Sequence, residues 1–218
     1  MNKLNLIKNK IKEVVVAKQL KISPQIIAVT KTFEIEKVTP LLKSGHIHYG
    51  ENKLQEAETK WIKVKNDFSN IKLHMLGKLQ SNKAKKAIKI FDFIHSLDSE
   101  KLAKKLSQYE QELNKKVKFF IQVNIGDEKQ KSGIELKNLN DFYHYCFDEL
   151  SLNVIGLMCL PPMNENPNQY FELLKKKSEG LKLTDLSMGM SGDFMDATSR
   201  GSTYLRLGTA IFGERKIN

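Results

Sequence analysis

The chain has 218 residues, of which 40% are hydrophobic and 28% are charged, the balance of one globular domain with a full core. This composition excludes a disordered chain, and no apolar run approaches the roughly 20 residues that cross a bilayer. The N-terminus lacks the apolar region of a secretory signal, so we expect a cytoplasmic protein. Cys146 and Cys159 are too few for a disulfide framework, and we predict reduced, buried thiols.

The net charge of +11 raises the possibility of a nucleic-acid partner, because clustered cations attract phosphates. Only three of the 36 basic residues are arginine, and the lysines are spread over helical segments without an aromatic-studded basic stripe. Solvated helix faces explain this pattern better. We therefore expect neither a nucleic-acid nor a membrane partner.

The first twenty residues have the apolar spacing of an amphipathic helix. Leu4, Ile7, Ile11, Val14 and Val15 share one helical face, with lysines around the rest. A mitochondrial transit peptide can have the same pattern, but transit peptides are rich in arginine and this segment has none. The pattern favours a surface helix that covers part of the fold.

After this helix the chain alternates short apolar or β-branched runs with longer segments of helical period. Eight such runs occur, at 26–31, 46–50, 73–77, 93–99, 117–125, 153–160, 183–189 and 203–208. This alternation predicts a single α/β domain over residues 1–218, a (β/α)8 TIM-type barrel with an extra N-terminal helix. A doubly wound sheet is the alternative, although no GxGxxG follows the first run.

In a parallel barrel the chemistry lies at the carboxyl ends of the strands. Lys31 closes the first run, which would direct its amine into the barrel mouth, where a partly buried lysine can attack a carbonyl. From position alone, a Schiff-base lysine and a lysine that extends its ammonium to solvent both remain possible.

Two glycine-containing motifs lie where TIM barrels often bind phosphate, near strands seven and eight. SMGMSGD at 187–193 opens a short helix, and LRLGTAIFG at 205–213 follows a strand. Both can bring backbone N–H groups at helix N-termini to a phosphate. Taken singly, each is better explained as a tight turn.

Histidines give little sign of a metal site. His46 and His48 alternate along one predicted strand, but no third ligand stands near them in sequence. His74, His95 and His144 are scattered, and we predict no metal.

Eight stretches together carry a family resemblance that covers nearly the whole chain in order. The chain resembles the pyridoxal phosphate homeostasis proteins, relatives of the barrel domain of alanine racemase. The matching stretches are AVTKT at 28–32, YGENKLQEA at 49–57, HMLGKLQSNK at 74–83, HSLDS at 95–99, VNIGDEKQKSGI at 123–134, GLMCLPP at 156–162, LSMGMSGD at 186–193 and GSTYLRLGTAIFGER at 201–215.

The resemblance implies a role for six residues of this chain. Lys31 would hold pyridoxal 5′-phosphate (PLP) as a covalent imine, and Arg206 would face the pyridine nitrogen. The cofactor's phosphate would lie at Ser191 and at the turn of Gly208 and Thr209. Asn52 is carried over as a pocket residue near the ring.

The resemblance also implies a function with little or no turnover. An arginine does not protonate the pyridine ring, so PLP beside Arg206 is a weak electron sink. Alanine racemase compensates with a second base from an extra C-terminal domain, which we expect this chain to lack. We expect a monomeric, non-enzymatic protein that buffers PLP or delivers it to PLP-dependent apoenzymes, and so maintains vitamin B6 and amino-acid balance. The alternative is a weak PLP-dependent amino-acid racemase with Tyr49 as the opposing base.

Overall fold

The computed structural model describes residues 3–128 and 130–214. These residues contain nine strands, and helices separate all of them except the fifth and sixth. The strands are β1 (Gln25–Val29), β2 (His48–Glu51), β3 (Lys72–Met75), β4 (Phe93–Leu97), β5 (Lys118–Asn124), β6 (Ile134–Glu135), β7 (Val154–Cys159), β8 (Asp185–Ser187) and β9 (Tyr204–Leu207).

The helices lie outside the strands, and two of them have 3₁₀ or π-helical turns at their ends. They are α1 (Lys3–Ala17), α2 (Ile35–Lys43), α3 (Leu54–Asp67), α4 (Ala84–Ile90), α5 (Glu100–Glu112), α6 (Leu139–His144), α7 (Pro167–Gly180), α8 (Phe194–Ser199) and α9 (Thr209–Phe212). A 3₁₀ turn precedes α4 (Ser81–Lys83) and another precedes α6 (Leu136–Asn138), and a π-helical turn extends α6 (Tyr145–Glu149).

Eight of the strands form a closed parallel barrel. Around the barrel the order is β1, β2, β3, β4, β5, β7, β8 and β9, and the pairings of β1 with β9 and of β4 with β5 close it. The two-residue β6 pairs with β5 alone. The predicted (β/α)8 barrel is therefore confirmed, and the doubly wound alternative is wrong because the sheet has no open edge between β1 and β9.

Each of the eight predicted runs overlaps one barrel strand, while β6 was not predicted because its two residues are too few to show a period. The N-terminal helix is confirmed as well. Leu4, Ile7 and Ile11 of α1 are buried in the core between the barrel and its helices, which we call the outer core. Val14 and Val15 are half-buried.

The outer core is the main core of the protein, because alternate residues of each strand face outward toward the helices. On β4, for example, Ile94 faces this core and is fully buried, whereas Phe93 belongs to a smaller cluster inside the barrel with Phe120 and Met158. Both cysteines are buried free thiols, as predicted, and burial raises the pKa of each to about 12.

Among the residues that the structure describes, no helix is long and apolar enough to cross a membrane.

The outer core sets the stability of the barrel, so truncating Ile94 should be costly. Ile94→Ala is expected to lower the free energy of unfolding by about 2–5 kcal/mol, because it leaves a cavity in a fully buried site. The matched control is Ile62→Ala on the exposed face of α3, for which we expect a change within about 0.5 kcal/mol. Urea denaturation of both variants measures the difference, and equal losses would contradict this description of the core.

Candidate functional site

A cavity of about 340 Å³ opens at the carboxyl end of the barrel strands. Its lining combines apolar walls with a few polar groups, as is usual for a small-molecule site. All six residues singled out from the sequence line it, together with seven others: Val29, Lys31, Phe33, Asn52, Leu76, Met158, Leu160, Met190, Ser191, Gly192, Arg206, Gly208 and Thr209. The six predicted residues come from four separate segments of the chain, and the structure brings them together.

Lys31 lies in the turn after β1, two residues beyond the strand's last residue Val29. The sheet hydrogen bonding continues one residue further, since the Thr30 N–H donates to the Gly50 carbonyl at 2.9 Å. Thr32 then has φ of +67°, an unfavourable conformation for a β-branched residue, and this reverses the chain direction. The half-buried Lys31 is therefore held at the rim by a firmly bonded residue on one side and a sharp turn on the other.

A network of buried charges on β2 and α3 clamps both neighbours of Lys31. The fully buried Glu51 carboxylate accepts hydrogen bonds from the Thr30 hydroxyl at 2.6 Å and from Lys60 Nζ at 2.9 Å. Glu56 accepts from the Thr32 backbone N–H at 2.5 Å and from the same Lys60 Nζ at 3.0 Å. One ammonium thus joins the two carboxylates that hold the backbone before and after Lys31.

The same network extends to the protein interior. Trp61 Nε1 donates to Glu51 Oε1 at 2.9 Å, and Lys60 Nζ also donates to the Thr30 carbonyl at 2.8 Å. Glu51 Oε2 is buried without a hydrogen-bond partner. An ion pair with so little access to water is rigid as long as both charges are present, and costly to break.

Arg206 lines the cavity from β9 and is only 5% exposed. Its Nη1 donates to the Ser187 carbonyl at 2.6 Å and to Ser187 Oγ at 2.7 Å, and its Nη2 donates to the Cys159 carbonyl at 2.8 Å. Burial lowers the pKa of the guanidinium from its ordinary value. Among the described residues no carboxylate forms an ion pair with it, so the floor of the cavity carries a buried cation whose bonds all go to neutral oxygens.

Ser191 and the turn after β9 form another part of the lining. Ser191 Oγ accepts hydrogen bonds from the backbone N–H groups of Gly208 at 3.3 Å and Ala210 at 3.1 Å. The segment before Ser191 is fixed by Gly189, which has φ of +91° and whose added Cβ would lie 2.4 Å from the Cβ of Ala197. Hydroxyl and N–H groups are therefore gathered at this edge, the donor set that an oxyanion requires.

Asn52 reaches the cavity because the loop after β3 passes very close to its backbone. A Cβ on Gly77 would lie 2.2 Å from the Asn52 carbonyl oxygen, so only glycine permits this approach. Asn52, Leu76 and Leu160 also line an adjoining cavity of about 350 Å³, which includes Asn124 from the end of β5.

Several polar residues at strand ends do not reach the main cavity. Ser96 is buried on β4 with no hydrogen-bond partner for its hydroxyl, and burial raises the pKa of Asp98. Tyr49 is also absent from the lining: it packs against Trp61 with ring centroids 4.8 Å apart and donates to the His46 carbonyl at 3.0 Å. The alternative role for Tyr49 as a catalytic base is wrong, because its side chain faces α3, outside the barrel.

Two groups of residues that support the site were not predicted from the sequence. The Glu51–Lys60 pair was hidden because a charged residue at a strand end and a lysine on a helix are both ordinary on a protein surface. In the sequence His48 alternates with His46 along one predicted strand and His74 and His95 are scattered, yet His48, His74 and His95 are hydrogen-bonded to one another inside the barrel. Inward-facing histidines on three consecutive strands are the signal that could have revealed them.

The family model for the alanine racemase N-terminal domain matches residues 4–216 and so defines the class of barrel. Within that class, the pyridoxal phosphate homeostasis protein of Aquifex aeolicus is 35% identical over 201 residues, 88% of this chain and 87% of the relative. The chain belongs to this family, and the resemblance drawn from its motifs is confirmed.

Solved structures agree with this assignment. PipY of Synechococcus elongatus, solved without PLP and with PLP bound, is 33% identical to this chain, with TM-scores of 0.81 and 0.79 over 93% of this chain and 100% of PipY. Alanine racemase of Clostridium difficile has a TM-score of 0.70 at 15% identity, and the match covers 96% of this chain but 56% of the racemase. That second likeness is one of fold.

Removing the shared ammonium should destabilise the clamp around Lys31. Lys60→Met is expected to lower the free energy of unfolding by about 3–5 kcal/mol, because it leaves the buried Glu51 carboxylate without its counter-charge. Lys63→Met, on the exposed face of the same helix, is the matched control and should change stability by less than about 0.5 kcal/mol. Chemical denaturation at neutral pH distinguishes them, and a Lys60→Met protein as stable as the control would refute the clamp.

Proposed function

We propose that this protein binds PLP reversibly at the cavity and buffers it or delivers it to PLP-dependent apoenzymes, in support of vitamin B6 and amino-acid balance. The observation that carries the proposal is that the six residues implied by the family motifs line one cavity. The names of its relatives support it, since they are pyridoxal phosphate homeostasis proteins and one solved relative has PLP bound.

The residues present fit this cofactor chemically. Lys31 supplies an amine that can hold the aldehyde as an imine, and Ser191, Gly208 and Thr209 supply the hydroxyl and N–H donors for a phosphate. Arg206 would face the pyridine nitrogen. Its buried cation, whose partners among the described residues are all neutral, favours an electron-rich ligand atom. Asn52 would lie near the ring.

The same lining argues for a binding role with little or no turnover. When bound, PLP supplies an electron sink, and an arginine beside its ring nitrogen keeps that sink weak. Lys31 and Arg206 are the only ionisable residues among the described ones that line the cavity, and a guanidinium is a poor base. Proton transfer on two faces of a substrate needs a second positioned base, which typically contributes about 10²- to 10⁴-fold.

Borohydride reduction followed by peptide mapping identifies the lysine that forms the imine. The chain offers 33 candidates, since three of its 36 basic residues are arginines. After incubation with PLP, we expect the label on the peptide that contains Lys31. Lys31→Ala should abolish the label and weaken binding by more than about tenfold, that is by more than about 1.4 kcal/mol. Lys53→Ala, an exposed lysine beside Asn52, should retain both label and affinity.

Two outcomes would overturn the proposal. A wild-type protein that acquires no label after reconstitution would refute PLP binding at Lys31. Rapid deuterium exchange at the α-carbon of alanine or serine by the PLP-loaded protein would instead support the racemase alternative and contradict the non-catalytic role.

A further inference from the structure

Three histidines occupy the barrel interior, where TIM barrels are normally filled by branched aliphatic side chains. His48 on β2, His74 on β3 and His95 on β4 are 8%, 0% and 0% exposed. Their positions are staggered along the barrel axis. Gly50, two residues beyond His48, pairs with His74, and His74 pairs with Phe93, two residues before His95. Each step is about 6.6 Å along the strands.

The rings form one continuous line of hydrogen bonds that ends at the cavity floor. His48 Nδ1 lies 2.9 Å from His74 Nε2, and His74 Nδ1 lies 2.9 Å from His95 Nε2. His95 Nδ1 lies 2.8 Å from Ser187 Oγ, which accepts from Arg206 Nη1 at 2.7 Å. Every nitrogen within the line faces a neighbour, so the rings do not converge on a point as metal ligands do.

The two ends of the line open on different cavities. Arg206 lines the cavity at the barrel mouth, while His48 lines a second cavity of about 700 Å³ at the amino ends of β1 and β2, covered by α1. Ser187, His95 and His74, which lie between these ends, are 0% exposed. The line is therefore a polar path through an otherwise closed interior.

Aromatic packing prevents the rings from turning. His74 stacks on Phe93 with centroids 4.2 Å apart and an interplanar angle of 13°, and His95 stacks on Phe120 at 4.3 Å and 18°. Tyr204 lies against both histidines, with centroid distances of 5.8 Å and 6.2 Å. Packing of this density fixes which nitrogen each ring presents to its neighbour.

Arg206 determines the direction of the line, because a guanidinium can only donate. Ser187 Oγ must therefore accept a hydrogen bond from Arg206. Apart from Arg206, the only partner of the Ser187 hydroxyl among the described residues is His95. Its proton is then donated to His95 Nδ1, which leaves the proton of His95 on Nε2. The same requirement passes to His74 and to His48, so all three rings become neutral Nε2–H tautomers.

The surroundings agree with neutral rings. Burial holds the pKa of His74 and of His95 well below the ordinary value, and Arg206 lowers that of His95 further. Burial also lowers the pKa of His48 to about 4, with contributions from Lys72 and Lys118 that outweigh the opposing Asp92. If His48 were protonated, its Nδ1–H would face the Nε2–H of His74, and two donors cannot form a hydrogen bond with each other.

We propose that Ser187, His95, His74 and His48 form a directed hydrogen-bond relay that couples Arg206 at the cavity floor to the opposite end of the barrel. They are positioning residues, since they act on the cavity through the guanidinium. Coupling between two sites is reciprocal. A change in the hydrogen-bond partners of His48 therefore alters how the Ser187 hydroxyl accepts a hydrogen bond from Arg206. This inference goes beyond the proposed function and does not depend on PLP binding.

The test is ¹⁵N NMR of the histidine rings in the cofactor-free protein at neutral pH. In the wild type we expect the signals of His48, His74 and His95 to be those of neutral Nε2–H tautomers. Any of these rings found protonated, or with its proton on Nδ1, would overturn the assigned direction.

Variants at the far end test the coupling. Ser187→Ala removes the group that selects the direction, so the His48 signals should shift toward a mixture of tautomers, although His48 is three hydrogen bonds from Ser187. Ser187→Thr retains the hydroxyl and should retain the wild-type signals. His144 on α6, an exposed ring bonded to Asp148, serves as an internal control that neither variant should change.

If Ser187→Ala does not fold, Arg206→Met removes the donor itself and should produce the same change at His48. Unchanged His48 signals in a folded protein with either variant would refute the relay. Because no measurement uses PLP, a failure of the relay is distinct from a failure of the proposed binding.

Discussion

The interior of this barrel is organised around the buried guanidinium of Arg206, which has no carboxylate partner among the residues that the structure describes. Removing an ion from water costs several kcal/mol, and Arg206 recovers part of that through hydrogen bonds to the Ser187 hydroxyl and to the carbonyls of Ser187 and Cys159. Those acceptors come from β7 and β8, so three neighbouring strands must keep their register for the cation to be satisfied. A purely aliphatic interior could not accommodate it.

The polar interior follows from this cation. Ser187 can accept from Arg206 only if its own proton has a buried acceptor, and His95 provides one at 2.8 Å. His95 in turn needs an acceptor for its remaining proton, and so does His74, until His48 brings the line to the second cavity. A buried polar network is tolerated when every member is satisfied, and in this one each member depends on the next.

The neighbouring wall of the cavity, at the end of β1, has a different role, which is to hold a flexible lysine at a defined place. The barrel fixes Thr30 by sheet hydrogen bonding, and the Glu51–Lys60–Glu56 network fixes Thr30 and Thr32 from outside the barrel. Lys31 is thus anchored on a rigid scaffold while its side chain lies among the lining residues. This arrangement fixes one amine in a cavity whose described lining offers no second base, which agrees with the proposed reversible capture of an aldehyde.

The fold follows from the sequence alone, because eight strand and helix repeats with hydrophobic periods leave few alternatives to a closed barrel. The sequence motifs also identified Lys31, Asn52, Ser191, Arg206, Gly208 and Thr209 as one set, although their contacts with PLP stay a prediction. The sequence could not place Tyr49 outside the barrel, since the face of a strand residue depends on register. Nor could it join His48, His74 and His95, or Lys60 with two glutamates. The histidine contacts link residues 26 and 21 positions apart, and only the stagger of the closed barrel brings them within hydrogen-bonding distance. Lys60 is 9 positions from Glu51 and 4 from Glu56, and its contact with Glu51 depends on how α3 packs against β2.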